Sequence, residues 1–155
     1  MIPKNFFSTL RILHLAISFG TLAIIVIFYV LSKNQPEPLL TQDNKMLVYI
    51  FPVFAIVVGA TGIFLSKQFL AKIKDQKLLD KLNQYRVAYI VRWAMIEGGS
   101  VMLVMGFFMS KQIAFLGLAS AGLVFLLLQK ADINTFQNDV QLSSEEKKEL
   151  ESTFR

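Results

Sequence analysis

"VAYIVRWAMIEGGSVMLVMGFFM", residues 87–109, is apolar along almost its whole length and holds two side chains that are charged in water, Arg92 and Glu97. A run of this length matches the ~20 residues a helix needs to cross a hydrocarbon layer ~30 Å thick. Three further blocks read the same way, at 12–31, 46–65 and 113–128, the last at the short end of the range. Apolar residues make up 54% of the 155-residue chain and the mean hydropathy is +0.52, above the soluble share of roughly 45–50%. The expected fold is therefore an all-α membrane protein, with four transmembrane helices in an antiparallel bundle. Residues 1–130 form the transmembrane domain and 131–155 a cytoplasmic tail.

Charge sets the orientation. Lys4 and Arg11 precede the first block. Lys67, Lys72, Lys74, Lys77, Lys81 and Arg86 join the second to the third, and Lys130, Lys147, Lys148 and Arg155 follow the fourth, twelve basic residues on one side. Lys33, Lys45 and Lys111 are the three on the other. Excess Lys and Arg in short connections marks the cytoplasmic side, so both termini are expected in the cytoplasm. The net charge of +5 is then a topological signal, and no nucleic-acid partner is expected. The first block exceeds the ~7–15 apolar residues of a signal h-region and "FYVLSKNQ" offers no small-residue cleavage site, so it reads as a retained helix.

The connections differ in kind. "SKNQPEPLLTQDNK", 32–45, with two prolines, reads as an irregular outer loop. In "KQFLAKIKDQKLLDKLNQYR", 67–86, apolar residues recur at helical spacing among lysines. The second and third helices are thus expected to extend into the cytoplasm and meet near "KDQK". Positive-inside placement accounts for these lysines; Lys67, Lys72, Lys74, Lys77 and Lys81 also form a candidate surface for anionic lipid, at ~1 kcal/mol per basic residue. In the tail, Ser143 and Glu146 fit a capping box that starts a short helix near Ser144. Ile133, Phe136 and Val140 present one apolar face that can dock on the protein itself.

Each span has a pair of small residues four apart: Ala16 and Gly20, Ala55 and Gly59, Ala94 and Gly98, Gly117 and Ala121. Small residues let helix backbones approach in lipid, where close packing drives association. These eight are the candidate helix-packing positions, within the chain or between copies. Pro52 removes a backbone hydrogen bond and can kink the second span.

Glu97 falls at the midpoint of its span. A charge at that depth costs several kcal/mol unless it is paired, hydrated or protonated, and Gly98, Gly99 and Ser100 leave room beside it. Arg92 points ~140° away around the same helix and lies ~7.5 Å nearer the cytoplasm. With Tyr85, Arg86, Tyr89 and Trp93 it reads as an interfacial belt in which long basic chains snorkel. His14, the single histidine, lies near the same depth on the first span. Glu97, His14, Arg92 and Ser100 are the candidate ion, proton or polar-anchor residues. Met95, Met102, Met105 and Met109 form a stripe best read as adaptable packing.

Cysteine is absent, which excludes thiolate chemistry, and one histidine cannot supply two axial haem ligands. No phosphate loop, zinc spacing or nucleophile elbow occurs, so neither enzyme chemistry, nor a metal, nor a cofactor is expected. Four spans and one mid-membrane glutamate superficially resemble the duplicated proteolipid of rotary ATPases. That family has a Gly-rich first helix and its carboxylate on the second or fourth, so the resemblance is set aside. "LRILHLAISFG", "RWAMIEGGSVM" and "NDVQLSSEEKKEL" together resemble short bacterial four-span inner-membrane proteins without an assigned activity, which implies a bacterial inner membrane. Two functions follow as expectations. One is a non-enzymatic component that self-associates or joins a larger membrane complex, with Glu97 as a buried polar anchor. The other is a small proton- or cation-coupled channel or transporter with Glu97 as its ion site.

Overall fold

A computed structural model describes residues 4–35, 37–39, 45–73 and 76–154. Among them the chain is helical throughout, with no strand. In order the helices are α1 (Phe6–Lys33), α2 (Lys45–Ala71), α3 (Leu78–Ser110), α4 (Ile113–Leu128), α5 (Ile133–Asp139) and α6 (Ser144–Phe154). Three of them, α1, α2 and α3, are long and apolar enough to cross a membrane. A fourth crossing exists if α4 and α5, bent by 89° at the break between them, are counted as one broken span.

The helices overrun the apolar blocks. The first begins at Phe6 rather than near residue 12, and the second and third run on to Ala71 and back to Leu78, as the apolar periodicity among the lysines implied. Lys74 and Asp75, at the expected meeting point, lie outside the described residues, as does most of the loop between the first two helices. The α2 helix continues through Pro52.

Three helix ends have an identifiable cause. The α3 helix stops at Lys111, whose φ of 60° reverses the chain while its N–H closes on the Phe107 carbonyl at 2.7 Å. The Lys111 ammonium then crosses to Ser32, donating to its carbonyl at 2.6 Å and its hydroxyl at 3.0 Å. This ties the far ends of α1 and α3 together. Asp132 caps α5 by accepting from the Thr135 backbone N–H at 2.8 Å. That hydrogen bond, assisted by the Thr135 hydroxyl, holds the Asp132 carboxyl below its ordinary range. The α6 helix opens with the predicted capping box: the Ser143 N–H donates to Glu146 at 2.8 Å, and the Glu146 N–H to the Ser143 hydroxyl at 3.2 Å.

The architecture is centred on α3, which packs against α2, α4 and α1, with a further α1–α4 contact. Consecutive long helices alternate in direction. The start of α1, the end of α2, the start of α3 and the end of α4 lie at one end of the molecule, joined there by His14, Ser66, Arg92 and Gln129. Two cores divide the length. The one at this end is large and aromatic, built from Leu10, Leu82, Tyr85, Tyr89, Trp93 and Leu126, and the tail seals it with Phe136, Val140 and Leu150. The other is smaller, around Phe51, Val104, Phe107 and Phe115. Elsewhere α1, α2 and α4 expose large apolar side chains such as Phe19, Ile56, Phe64 and Leu128. Such coverage suits hydrocarbon and is costly in water.

The tail is part of the fold. Phe136 is fully buried and meets Tyr85 edge-on at 5.0 Å, while Phe7 bridges to Phe136 and Phe154. Lys81 donates to both Glu146 oxygens, at 3.0 and 2.9 Å, and to the Gln141 carbonyl at 3.1 Å. Burial raises the Glu146 carboxyl, but the Ser143 N–H and the Lys81 ammonium outweigh it and leave the group below its ordinary range.

Candidate functional site

The polar side chains buried at the common end form one connected layer. The last carbonyls of α4 lack the usual helical partners, a cost each helix terminus must meet. The Leu126 carbonyl takes the Gln129 N–H at 3.0 Å, and His14 on α1 serves its second lone pair, with Nε2 2.8 Å away. A carbonyl only accepts, so Nε2 carries the hydrogen. Trp93 on α3 meets the next, donating from Nε1 to the Gln129 carbonyl at 2.9 Å. The His14 and Trp93 rings themselves lie 4.6 Å apart. Two aromatic donors from different helices thus fix the position of α4.

Arg92 ties in α2 and the end of α4. Its Nε donates to the Ser66 hydroxyl at 2.9 Å and its Nη1 to the Gln129 side-chain oxygen at 3.2 Å. Ser66 passes its own hydrogen to the Ile63 carbonyl at 2.8 Å. The guanidinium also lies over the Tyr89 ring, 4.7 Å from its centre, and the Tyr89 hydroxyl donates to Asp139 at 2.8 Å. The guanidinium holds Nε and Nη1 as separate donors in a rigid plane, which lets one side chain address Ser66 and Gln129 while the plane lies over the Tyr89 ring.

Arg92 is therefore not a snorkelling belt residue: it is 8% exposed, His14 6% and Trp93 0%. His14 and Arg92 belong to one layer. Glu97 stands apart from it, half-buried, against α1. A methyl group built on Gly20 would lie 3.6 Å from Glu97 Oε1, and the Thr21 side chain is its polar neighbour. Ser100 is buried and faces α4 at Gly122. The hydroxyls of Ser18, Thr21 and Ser100 donate back to their own helices, at His14, Ile17 and Ile96. They do not form a chain of donors leading to Glu97.

Of the small-residue pairs, Gly20 and Ala55 lie at helix contacts. Gly59 and Gly98 have open space where a side chain would project, and Ala16, Ala94, Gly117 and Ala121 face outward. The closest backbone approaches occur at other glycines. A Cβ on Gly99 would be 2.9 Å from the Ala55 carbonyl, one on Gly62 2.5 Å from Met95 Cβ, and one on Gly106 3.0 Å from Phe115. Ala55, Gly59 and Ala121 instead line a cleft of about 390 Å³ between α2 and α4, floored by Gly99 and Ser100.

Among the hairpin lysines, Lys67, Lys72 and Lys77 are exposed, Lys81 is committed to Glu146, and Lys74 lies outside the described residues. The sequence reading missed Ser66, Gln129 and Asp139. Ser66 directly follows the second apolar block and Gln129 directly follows the fourth, so matching depths across antiparallel helices places both beside Arg92. No family model, curated protein or solved structure matches the chain.

Proposed function

We propose that the chain is a four-span protein of a bacterial inner membrane with both termini cytoplasmic, a non-enzymatic component that associates with itself or with a larger membrane complex. The observation that carries this is the closed layer of Arg92, His14, Trp93 and Gln129. The buried donors with greatest chemical potential are spent on serine, glutamine and helix-end carbonyls of the same chain. Such a layer fixes helix positions and leaves no reactive group aimed at a substrate. Anchoring thus falls mainly to Arg92 and His14, with Glu97 pairing α3 to α1. The open cleft between α2 and α4, lined by Ala55, Gly59, Ala60 and Ala121, supports self-association because small residues admit a second backbone in lipid. The test is the mass of the detergent-solubilised protein by light scattering, for wild type and for Gly59→Leu with Ala121→Leu. A multimer that becomes a monomer supports the reading. A monomer in both membranes and detergent removes self-association.

One observation favours a second reading, proton or cation movement through Glu97. The carboxyl lies half-buried at the level of Gly20 and Thr21, and the ion pair formed among the described residues, Lys81–Glu146, is elsewhere. Flux in liposomes that is present in wild type and lost in Glu97→Gln, at equal incorporation and oligomeric state, would establish it. Absence of flux in both dismisses it.

A further inference from the structure

The face between α1 and α4 carries two cavities that share residues and differ in chemistry. The first, about 340 Å³, opens at the end of the molecule that holds the polar layer, and Arg11, Lys130, Asp132 and His14 line it. The second, about 160 Å³, is an apolar groove that continues along the same two helices through Phe19, Leu22 and Leu123. Leu15 and Leu127 line both, so one leads into the other.

The charges in the upper cavity are not equally available. The Asp132 carboxylate is engaged by the Thr135 N–H and hydroxyl, both at 2.8 Å, and the His14 Nε2 is engaged by Leu126. The side chains of Arg11 and Lys130 are exposed and form no hydrogen bond or close ion pair among the described residues, although Arg11 is near enough to Asp132 to act on it as a charge. The cavity therefore offers two cations against one occupied carboxylate, a balance that suits a single negative charge. Below it, Leu15, Phe19, Leu22 and Leu127 are each more than 40% exposed, which suits an alkyl chain lying along the helices.

Length agrees with this pairing. From Arg11 to Leu22 the helix rises ~16 Å, close to half of a ~30 Å hydrocarbon core. A headgroup at Arg11 thus places its chain along the groove for the depth of one leaflet. Resting on the membrane reading above, we infer that this face holds one phospholipid of the cytoplasmic leaflet, its anionic phosphodiester between Arg11 and Lys130 and an acyl chain in the α1–α4 groove. The site is formed by α1 and α4 rather than by the lysine hairpin of α2 and α3, and is distinct from a diffuse attraction to anionic lipid because it has a chain slot as well as charge.

The experiment is native mass spectrometry of the full chain released from detergent, after exchange with phosphatidylglycerol, phosphatidylcholine or soluble glycerol phosphate. One phosphatidylglycerol per chain should survive release, with phosphatidylcholine retained at least tenfold less and glycerol phosphate not at all. Arg11→Gln with Lys130→Gln should lower phosphatidylglycerol retention at least tenfold, with helix content by circular dichroism unchanged. Leu22→Trp, which fills the groove far from the charges, should lower retention of the long-chain lipid independently of charge. Equal retention in wild type and the charge variant, or equal retention of both lipids, overturns the site. Glycerol phosphate that displaces the lipid assigns the cavity to a soluble anion and also overturns it. Release of the protein from membranes by alkaline carbonate would instead refute the membrane reading itself, so the two failures are separately visible.

Discussion

Alanine placed at Gly98 and at Gly99 in turn should have opposite effects, although the residues are adjacent on α3. A Cβ on Gly98 meets nothing within 4 Å, whereas one on Gly99 would lie 2.9 Å from the Ala55 carbonyl oxygen and 3.3 Å from its Cα. Those partners are backbone, so they cannot rotate away. Relief requires α2 and α3 to part by roughly half an ångström, and a gap of that size forfeits about a quarter of the attraction of each atom pair across it. Overpacking of this type costs ~1–3 kcal/mol. Both substitutions gain the same ~1 kcal/mol of helix propensity, so the difference between the two variants isolates packing. Gly98→Ala should match or slightly exceed wild type, and Gly99→Ala should fall below Gly98→Ala by ~1–3 kcal/mol. Trp93 is the sole tryptophan and reports from the polar layer, so thermal or dodecyl-sulfate unfolding followed by its fluorescence reads the difference. At roughly 2–4 °C per kcal/mol for a chain of this size, the shift is measurable. A difference under about 0.5 kcal/mol, or one of reversed sign, would refute the α2–α3 contact geometry.

Arg92→Lys should destabilise by ~1–3 kcal/mol in the same assay, because it replaces the separately placed Nε and Nη1 donors by one nitrogen at the tip of the chain and removes the plane over Tyr89; wild-type stability would dismiss the layer as a structural element. Tyr89→Phe should cost ~1.5–3 kcal/mol through loss of its bond to the Asp139 carboxylate. Tyr85→Phe should be neutral or stabilising, since its buried hydroxyl has no partner among the described residues; equal losses in the two variants would contradict the assignment. Docking of α6 should weaken in acid. The Glu146 carboxyl is held below its ordinary range when folded, so its contribution is present above the unfolded value and is lost as pH falls through the folded one. Hydrogen exchange of α6 amides should therefore rise on acidification in wild type, and Lys81→Met should raise exchange already at neutral pH; a Lys81→Met profile identical to wild type is the contrary result.

Of the four spans expected, three are helices long enough to cross a membrane and the fourth is one only as a bent pair. Hydropathy and helical spacing foretold the all-helical chain, those three helices, the overrun between the second and third, and the start of α6. These depend on local composition and on backbone amides that any sequence must satisfy. The hydrogen-bond partners of Arg92 were hidden because they come from two other segments, 26 and 37 positions away along the chain. Periodicity places a residue on a face without saying which helix that face meets. The same gap explains the glycines. Gly98 completes a small-residue pair and Gly99 does not, yet it is Gly99 that touches α2. The α5 helix was half legible: its apolar face was evident at Ile133, Phe136 and Val140, but its start depends on Asp132 reaching the Thr135 amide.

Polarity and packing are distributed unequally along the molecule, and the inequality bears on function. At the end holding the start of α1 and the tail, helices α1 to α4, the tail and the layer around Arg92 are joined by hydrogen bonds that each link different elements. At the opposite end, among the described residues, the chief polar tie between helices is Lys111 to Ser32, and the first turns of α2 expose Met46, Tyr49, Ile50 and Val53. Breaking a buried network is expensive because each orphaned donor costs ~1–3 kcal/mol, whereas apolar surfaces in lipid exchange partners at little cost. The joined end is thus built to keep one arrangement, and the opposite end can change its neighbours. A carboxyl at Glu97 lies near the boundary between these halves, against α1 at Gly20 and Thr21. For that reason Glu97→Gln should leave the joined end intact and act on how α1 and α3 meet, while changes at Arg92 should loosen every helix at once.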